Sequence, residues 1–217
     1  MSPWEKLQRL WDRGAWGTYP FRIPRRKLPP VLVRAFRPED TPACYEIYRL
    51  NEPGRFPDGY FAHFSKFLTS GKALFLVAEE DRGVSAFAAL SMHPPPIQSN
   101  INLTFGMVHP KEQRRGLGTV MLLARLAVLP DSVRYILSMA PVAPAQQFYR
   151  QFGFGLVGTF QDYDIGDTFD TFGVTIRLRD LQNCRKKLQD NGVRLEVSDA
   201  VPVAPIVRMK DGAYRMV

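Results

Sequence analysis

The sequence predicts an α/β protein with one mixed, mostly antiparallel sheet and helices on both faces. Two strand–helix–strand units predict that the fourth and fifth strands pair in parallel. The turn Asp81-Arg82-Gly83 separates two β-rich runs and predicts an antiparallel hairpin. The chain has 217 residues, of which 45% are hydrophobic and 23% charged, which is ordinary for a protein that buries its own core.

The predicted elements follow the order β-α-α-β-β-β-α-β-α-β-β. Strands are predicted at 31–36, 73–80, 84–92, 101–108, 133–139, 156–163 and 168–178. Helices are predicted at 42–50, 59–68, 116–129 and 143–151. Asp40 is the expected cap of the first helix, and Pro42 follows at an early position.

Both ends of the chain differ from this pattern. Residues 1–30 form an amphipathic extension, with Trp4, Leu7, Leu10 and Trp11 at helical spacing and a proline-rich arm behind them. Residues 179–217 form a helix–strand extension, in which Leu181, Cys184 and Leu188 share a helical face and Val193, Leu195 and Val197 alternate. We expect these ends either to join two copies as a homodimer or to seal the sheet edge of one copy. Residues 31–178 form the main domain.

Composition limits the setting of the protein. Cys44 and Cys184 are too few for a disulfide framework and are expected to be reduced core residues. The first ten residues contain no signal-like apolar run, and no apolar stretch is long enough to span a membrane, so a cytoplasmic location is expected. The net charge of +8 favours anionic partners, such as a phosphorylated cofactor, nucleic acid or an acidic surface, without choosing among them.

The most informative segment is 113–119, where a predicted strand gives way to a predicted helix. The first turn of a helix has N–H groups without intrahelical partners, and with the helix dipole they form an anion site. Gly116 and Gly118 have no side chains, so a diphosphate is expected to approach the backbone closely, and Arg114 and Arg115 add positive charge. The segment is not a Walker loop, because no Gly-Lys-Ser/Thr follows, and it lacks the first glycine of a dinucleotide fingerprint.

A second motif lies in and just after the helix 143–151. Its residues are Ala145, Tyr149, Gly153 and Phe154, in the pattern Ala-x-x-x-Tyr-x-x-x-Gly-Phe. Together with the segment 113–118, this motif resembles the signatures of the GNAT N-acetyltransferase superfamily, in the same order and on the same kinds of element. The resemblance covers residues 31–178.

The resemblance implies a GNAT sheet whose fourth and fifth strands splay apart, with acetyl-CoA as co-substrate and no metal. Met107 and Val108 would then offer backbone groups to the pantetheine arm. The residues implied in holding the phosphates, by backbone amides, charge or bracing of the loop, are Gln113, Arg114, Arg115, Gly116, Leu117, Gly118 and Thr119.

The resemblance also implies that Tyr149 lies near the sulfur and acts as general acid for the departing thiolate. Reference pKa values are about 10 for tyrosine and about 8.5 for a thiol, so this transfer is uphill unless the site alters one of them. The alternative role of Tyr149 is a packing ring with a hydrogen-bonded hydroxyl.

The general base is not identified by the sequence. Val142 stands where the family often has asparagine, and Leu137 stands where ribosomal-protein N-terminal acetyltransferases have a glutamate base, which argues against that subclass. The predicted fourth strand has no acidic residue. The candidates by family topology are His109, Glu112, Glu52, His63, Asp162 and Asp164, and a water chain is a further candidate.

The acceptor cleft of relatives is lined by the segment between the first two helices and by the last hairpin. In this chain the candidate substrate-side residues there are Glu52, Arg55, Tyr60 and Asp162. The acidic hairpin is expected to attract a cationic amine, either a small molecule or a protein or peptide amine.

Two other interpretations stay open. A GNAT-shaped module could hold acyl-CoA for regulation without turnover. The basic arms could instead bring nucleic acid, either as an aminoacyl-tRNA that is acetylated or through a fold that does not bind CoA at all. The nucleic-acid interpretation predicts an affinity for tRNA that falls as the salt concentration rises.

If the segment 113–119 holds acetyl-CoA, the ligand stabilises the folded state and raises the unfolding temperature by several degrees. Thermal unfolding with and without acetyl-CoA measures this shift. The variant Gly116→Asp is expected to abolish it. An unchanged unfolding temperature at millimolar acetyl-CoA would contradict the assignment.

Overall fold

The computed structural model places one eight-stranded mixed sheet at the centre of the protein. It describes residues 19–53, 56, 59–92, 100–139, 142–161, 168–202, 206–208 and 214–216. The strands are β1 (Leu32–Ala35), β2 (Leu74–Glu80), β3 (Gly83–Met92), β4 (Asn100–Val108), β5 (Tyr135–Met139), β6 (Gly155–Gln161), β7 (Thr168–Thr175) and β8 (Arg194–Glu196). The helices are α1 (Thr41–Asn51), α2 (Tyr60–Leu68), α3 (Leu117–Ala127), α4 (Ala143–Gln151) and α5 (Leu178–Asp190). A short hairpin of β9 (Ile206–Arg208) and β10 (Tyr214–Met216) lies apart from the sheet.

The predicted order of elements and the mixed pairing are confirmed. The strands lie in the order β6-β7-β5-β4-β3-β2-β1-β8. The pairs β4–β5 and β1–β8 are parallel, and the other neighbouring pairs are antiparallel. The predicted hairpin turn joins β2 to β3, and Gly83 takes the positive φ of +106° that favours glycine there.

Helices cover both faces of the sheet. On one face, α1 and α2 enclose an aromatic cluster that includes Tyr48, Phe64 and Phe87. On the other face, α3, α4 and α5 form the larger core. Ten of the eleven residues of α3 are buried, because helices and the N-terminal segment cover the side of α3 that faces away from the sheet.

The C-terminal extension packs onto the main domain. The predicted apolar face of α5 is confirmed, since Leu181, Cys184 and Leu188 are all buried in the larger core. Arg185 donates to the carbonyls of Ala127 and Leu129 at 2.9 Å each, which satisfies acceptors that the end of α3 leaves without partners. Strand β8 then pairs with β1, so the extension seals the edge of this chain's own sheet.

The strand predicted at 168–178 is too long. It ends at Thr175, and α5 begins at Leu178. The backbone at Arg177 is extended, and its N–H donates to the carboxylate of Asp180 at 2.9 Å, which fixes the helix start.

The role predicted for Asp40 is wrong. Asp40 precedes α1, but its side chain makes no capping bond to that helix. Its carboxylate accepts instead from Arg34 Nη1 and Nη2 at 2.7 and 2.9 Å and from the N–H of Arg37 at 2.8 Å. Burial tends to raise the pKa of Asp40, but these donors outweigh burial and hold that pKa below its usual value.

The remaining sequence predictions concern the cysteines and the ends. Both cysteines are free and buried. In the part of the chain that the structure describes, no helix combines the length and hydrophobicity that a membrane span requires. The predicted amphipathic start at Trp4, Leu7, Leu10 and Trp11 lies outside the described residues.

Replacing Asp40 by asparagine leaves the buried Arg34 with Glu79 alone and should lower the free energy of unfolding by about 3 kcal/mol at pH 7. The pKa of Asp40 is lowered by folding, so its contribution is present above the unfolded pKa of about 4 and is lost as the pH falls below it. Urea unfolding at pH 7 and at pH 3 should therefore show the difference between wild type and variant shrinking in acid. The exposed Lys186–Asp190 pair supplies the control, since Asp190→Asn should change stability by less than about 0.5 kcal/mol.

Candidate active site

Strand β4 parts from β5 halfway along its length. The two strands pair from Asn100 to Leu103, where Leu103 faces Ser138, and β4 then continues to Val108 without β5 beside it. The predicted splaying of the fourth and fifth strands is thus confirmed. The buried hydroxyls of Thr104 and Ser138 lie at the point of divergence, and neither has a hydrogen-bond partner among the described residues.

A β-bulge bends β4 at the same point. Phe87 faces Met107 and Ala89 faces Thr104, so two residues of β4 oppose one of β3. Phe105, inside the bulge, takes a φ of +45°, which is strained for a side chain of this size. Strain of this kind costs on the order of 1–3 kcal/mol and is typical of functional sites.

Arg125 supports the bulge from the opposite face of the sheet. This residue of α3 is only 2% exposed, although it carries a charge. Its guanidinium donates to Ala89 O at 3.2 Å and Met121 O at 3.3 Å, and it lies 3.4 Å from where a Cβ of Gly106 would be. The role of Arg125 was not predicted from the sequence, where its one signal is a single arginine within the otherwise apolar helix α3.

The segment 114–119 forms an anion cradle at the start of α3. The first amide of this helix with an intrahelical acceptor is that of Val120, which donates to Gly116 O at 3.0 Å. The six preceding amides, from Arg114 to Thr119, have no acceptor among the described residues. Gly116, Leu117 and Thr119 are nevertheless buried. Buried N–H groups need acceptors, so this segment has the donor set that a phosphorylated cofactor requires.

The two glycines of the cradle differ in their surroundings. A Cβ on Gly116 would lie at a tight 3.2 Å from Pro29, and Gly116 takes a φ of +106°, which favours glycine. A Cβ on Gly118 would lie 3.5 Å from the ring of Phe148, which is an ordinary contact distance. The close approach of a diphosphate to these glycines stays a prediction. An aspartate at 116 would disturb the turn as well as the charge.

The charges around the cradle are unequal. Arg115 forms ion pairs with Glu80 at 2.8 Å and with Glu112, so its charge is largely compensated, and its part in binding phosphate stays a prediction. Arg114 is exposed, takes a φ of +68° and forms no ion pair with any described residue.

Gln113 braces the loop, as predicted, but through a partner that the sequence did not reveal. Its Nε2 donates to Asn51 Oδ1 at 3.1 Å and to Val108 O at 3.3 Å. Asn51 in turn donates to Val108 O at 3.1 Å and to Ile47 O at 2.8 Å. The end of α1, the end of β4 and the cradle are thereby fixed to one another. Asn51 was missed because only the tertiary structure brings residue 51 to residue 113.

Tyr149 lies on α4 and is 7% exposed. Its ring packs on Phe154 at 5.1 Å and on Phe148 at 5.3 Å between ring centroids. The same Phe148 lies against Gly118, so the second motif contacts the first. Val142 lies directly before α4 with an extended backbone, and its side chain makes no capping hydrogen bond to that helix.

Of the predicted substrate-side residues, Tyr60 lies in an aromatic cluster beside the β4 bulge, and its role toward a substrate stays a prediction. Tyr60 and His63 of α2 stack at 5.1 Å, and their rings lie 6.0 and 6.3 Å from Phe105 in the β4 bulge. The hydroxyl of Tyr48 is buried beside them without a partner among the described residues, and burial together with the charge of Glu52 raises its pKa. We call Tyr48, Tyr60, His63 and Phe105 the aromatic wall. Arg55, Asp162 and Asp164 lie outside the described residues.

Two of the candidate bases are engaged elsewhere. His109 Nδ1 accepts from the N–H of Lys111 at 3.2 Å, and Glu112 pairs with Arg115. His63 is exposed at the aromatic wall, and Glu52 is half-buried near it.

A splayed parallel pair beside an amide cradle is a geometry suited to an α/β protein that holds a long phosphorylated ligand. The model of the Acetyltransferase (GNAT) family matches residues 41–154, more than half of the chain. The chain belongs to this family, and it is therefore an acyltransferase that uses acetyl-CoA.

Solved structures share the fold. A protein assigned to the GNAT acetyltransferases from Desulfovibrio desulfuricans is 19% identical, with a TM-score of 0.56 over 67% of this chain and 98% of that chain. The ribosomal-protein-S18-alanine N-acetyltransferase from Escherichia coli is 20% identical, with a TM-score of 0.51 over 67% of this chain and 93% of the other. A phosphinothricin acetyltransferase from Sinorhizobium meliloti, in complex with AcCoA, is 17% identical, with a TM-score of 0.50 over 68% and 89%. No match was found among curated protein sequences.

Replacing Asn51 by alanine should lower the free energy of unfolding by about 1–3 kcal/mol, because Gln113 loses one of its two acceptors and Val108 O loses a donor. The cradle loses its brace, so acetyl-CoA should also raise the unfolding temperature less than it does in wild type. Asn183 is exposed on α5, and Asn183→Ala should leave both quantities unchanged. A ligand-induced shift equal to that of wild type in Asn51→Ala would contradict the role of the brace.

Proposed function

We propose that this protein transfers the acetyl group of acetyl-CoA to a primary amine by direct attack in a ternary complex. The observation that carries the proposal is the free end of β4, which lies between the anion cradle and the aromatic wall. Bound acetyl-CoA supplies an activated acetyl thioester. The amides of 114–119 would hold its phosphates, and the backbone of Met107 and Val108 would align its pantetheine arm.

Direct attack is favoured over an acetyl-cysteine enzyme. The chain has two cysteines, and both are buried in hydrophobic clusters. Burial raises the pKa of the Cys44 thiol to about 12 and raises that of Cys184 as well. A thiol of this kind is a poor nucleophile at neutral pH, so the acceptor amine itself is the better candidate for the attacking group.

The proposed acceptor is an amine that is protonated, and therefore cationic, when it binds. It is either a small molecule or a protein or peptide amine. Aromatic rings bind ammonium groups through their faces, and the aromatic wall offers the rings of Tyr60 and Phe105. Glu52 adds negative charge nearby. His63 is the exposed base candidate at this wall. We propose that His63, assisted by Glu52, removes a proton from the amine.

A second candidate is an acyl-CoA-binding module without turnover. One observation favours it: in the described part of the chain, β4 has no acidic or imidazole side chain, and Glu112 is paired with Arg115. Release of CoA in the presence of a broad panel of amines distinguishes the two functions. Binding of acetyl-CoA without release by any amine would favour the module, and transfer to aminoacyl-tRNA alone would assign the remaining alternative.

The division of the chain at residues 30 and 178 stays a prediction. The family match at 41–154 supports a central acetyltransferase domain. The burial of Phe21 and Leu28 in the same core as α3 supports a fold in which the extension is integral to that domain.

Replacing Tyr149 by phenylalanine should lower kcat about 100-fold with little change in the KM for acetyl-CoA, because the hydroxyl is proposed as the proton donor to the leaving thiolate. Steady-state release of free CoA measures both constants. Tyr45→Phe is the matched control, since Tyr45 packs on α2 through Phe61, belongs neither to the cradle nor to the aromatic wall, and should retain wild-type kcat. A Tyr149→Phe enzyme with wild-type kcat would assign the ring to packing alone.

A further inference from the structure

The N-terminal arm, residues 19–30, runs along the main domain to the anion cradle. Its first half is bound next to β7, where Phe21 N–H donates to Thr175 O at 3.2 Å and Tyr19 O accepts from Thr175 N–H at 3.0 Å. Phe21 is 8% exposed and stacks on Phe152. This arm lies wholly outside residues 41–154, which match the family model.

Two glycines make room for the start of the arm. A Cβ on Gly153 would lie 2.1 Å from Pro20 O, and a Cβ on Gly155 would lie 2.0 Å from the ring of Tyr19. Real Cβ atoms do not approach so closely, so the arm depends on both glycines. Gly153 belongs to the second motif, which therefore binds the arm as well as shaping the end of α4.

The second half of the arm is fixed beside the cradle. Leu28 is 2% exposed, and its N–H donates to Asn191 Oδ1 at 2.8 Å. Pro29 lies 3.2 Å from where a Cβ of Gly116 would be. With both halves attached, the intervening residues have little freedom of position relative to the cradle.

Arg26 lies in this fixed stretch. Its Nη2 donates to Arg114 O at 3.2 Å, and its Nη2 and Nε lie 3.5 and 3.7 Å from the Cβ position of Gly116. The side chain is exposed and forms no ion pair with any described residue. A guanidinium has five N–H donors in a rigid plane, so most of them stay free for an acceptor.

The charges around Arg26 favour the binding of an anion. The Arg26 side chain reaches the backbone carbonyl of Arg114, and neither arginine has a described carboxylate partner, whereas Arg115 is compensated by Glu80 and Glu112. A guanidinium without a carboxylate partner is suited to bind a phosphate through charge-assisted hydrogen bonds. The Arg26 guanidinium lies beside Gly116, which belongs to the segment of six amides without a described acceptor.

We propose that the N-terminal arm is part of the cofactor site and that Arg26 binds a phosphate group of acetyl-CoA. The inference rests on the proposed function only in its use of the cradle for acetyl-CoA. It adds a phosphate-binding residue from outside the segment 113–119. The phosphate is either part of the diphosphate or the 3′-phosphate of the ribose, and both present the same oxygens to a guanidinium.

The test is calorimetric binding of acetyl-CoA and of dephospho-CoA, which lacks the 3′-phosphate. Arg26→Ala should weaken acetyl-CoA binding about tenfold, as expected for one charge-assisted contact. Arg25→Ala is the matched control on the same arm: it removes an equal charge from an exposed neighbour and should change Kd less than about twofold. If Arg26→Ala weakens dephospho-CoA equally, the contact is to the diphosphate; if it does not, the contact is to the 3′-phosphate.

Two further variants separate charge from structure. Arg26→Lys keeps the charge and should retain most of the affinity, whereas Arg26→Gln keeps a donor for Arg114 O and should bind as weakly as Arg26→Ala. Equal affinity of the glutamine and lysine variants, or wild-type affinity of Arg26→Ala, would overturn the proposal. A wild-type protein that binds acetyl-CoA without acetylating any amine would refute the proposed function and leave this inference standing. A wild-type protein that does not bind acetyl-CoA would overturn both.

Discussion

The divergence of β4 from β5 after Leu103 is the constraint on which the site depends. Backbone N–H and C=O groups need partners, and a strand that leaves its neighbour inside a sheet gives up those partners along its whole free end. The bulge at Phe105 turns β4 away, the buried guanidinium of Arg125 donates to Ala89 O behind it, and Asn51 and Gln113 donate to Val108 O at its end. The protein thus supports the open strand from three sides and leaves the gap for a ligand.

The second requirement is that α3 begins at the gap and stays fixed there. This helix is buried almost all round, which an apolar helix tolerates only when protein covers every side. Helix α5 and the N-terminal arm provide that cover, and Arg185 satisfies carbonyls at the far end of α3. The two extensions therefore help to hold the helix whose first turn forms the cradle. They also account for the sealed edge of the sheet, because α5 leads directly into β8 beside β1.

Four arginines differ in role according to whether each has a carboxylate partner. Arg34 and Arg115 bind carboxylates and support the structure, whereas Arg26 and Arg114 have no such partner among the residues that the structure describes. A count of charges along the sequence treats all four alike, and the net charge of +8 had pointed equally to a cofactor, nucleic acid or an acidic surface. Which cations are free for an anion depends on the carboxylates that folding brings next to each one.

The order of elements and the two motifs followed from the sequence, because hydrophobic periodicity, turn residues and short motifs are local properties of the chain. The splayed strands were implied only by the resemblance of those motifs to the GNAT family. The pairing of Asn51 with Gln113, the contact of Arg26 with the loop and the support of the bulge by Arg125 followed only from the tertiary structure. The first two pairs are 62 and 88 residues apart. Arg125 reaches β3 across a sequence separation of 36 residues. Contacts of this kind depend on how helices and strands pack, which no local pattern records. For the same reason the sequence identified Gly116 but not its neighbour Pro29, which the packing of the N-terminal arm places 3.2 Å from the Cβ position of that glycine.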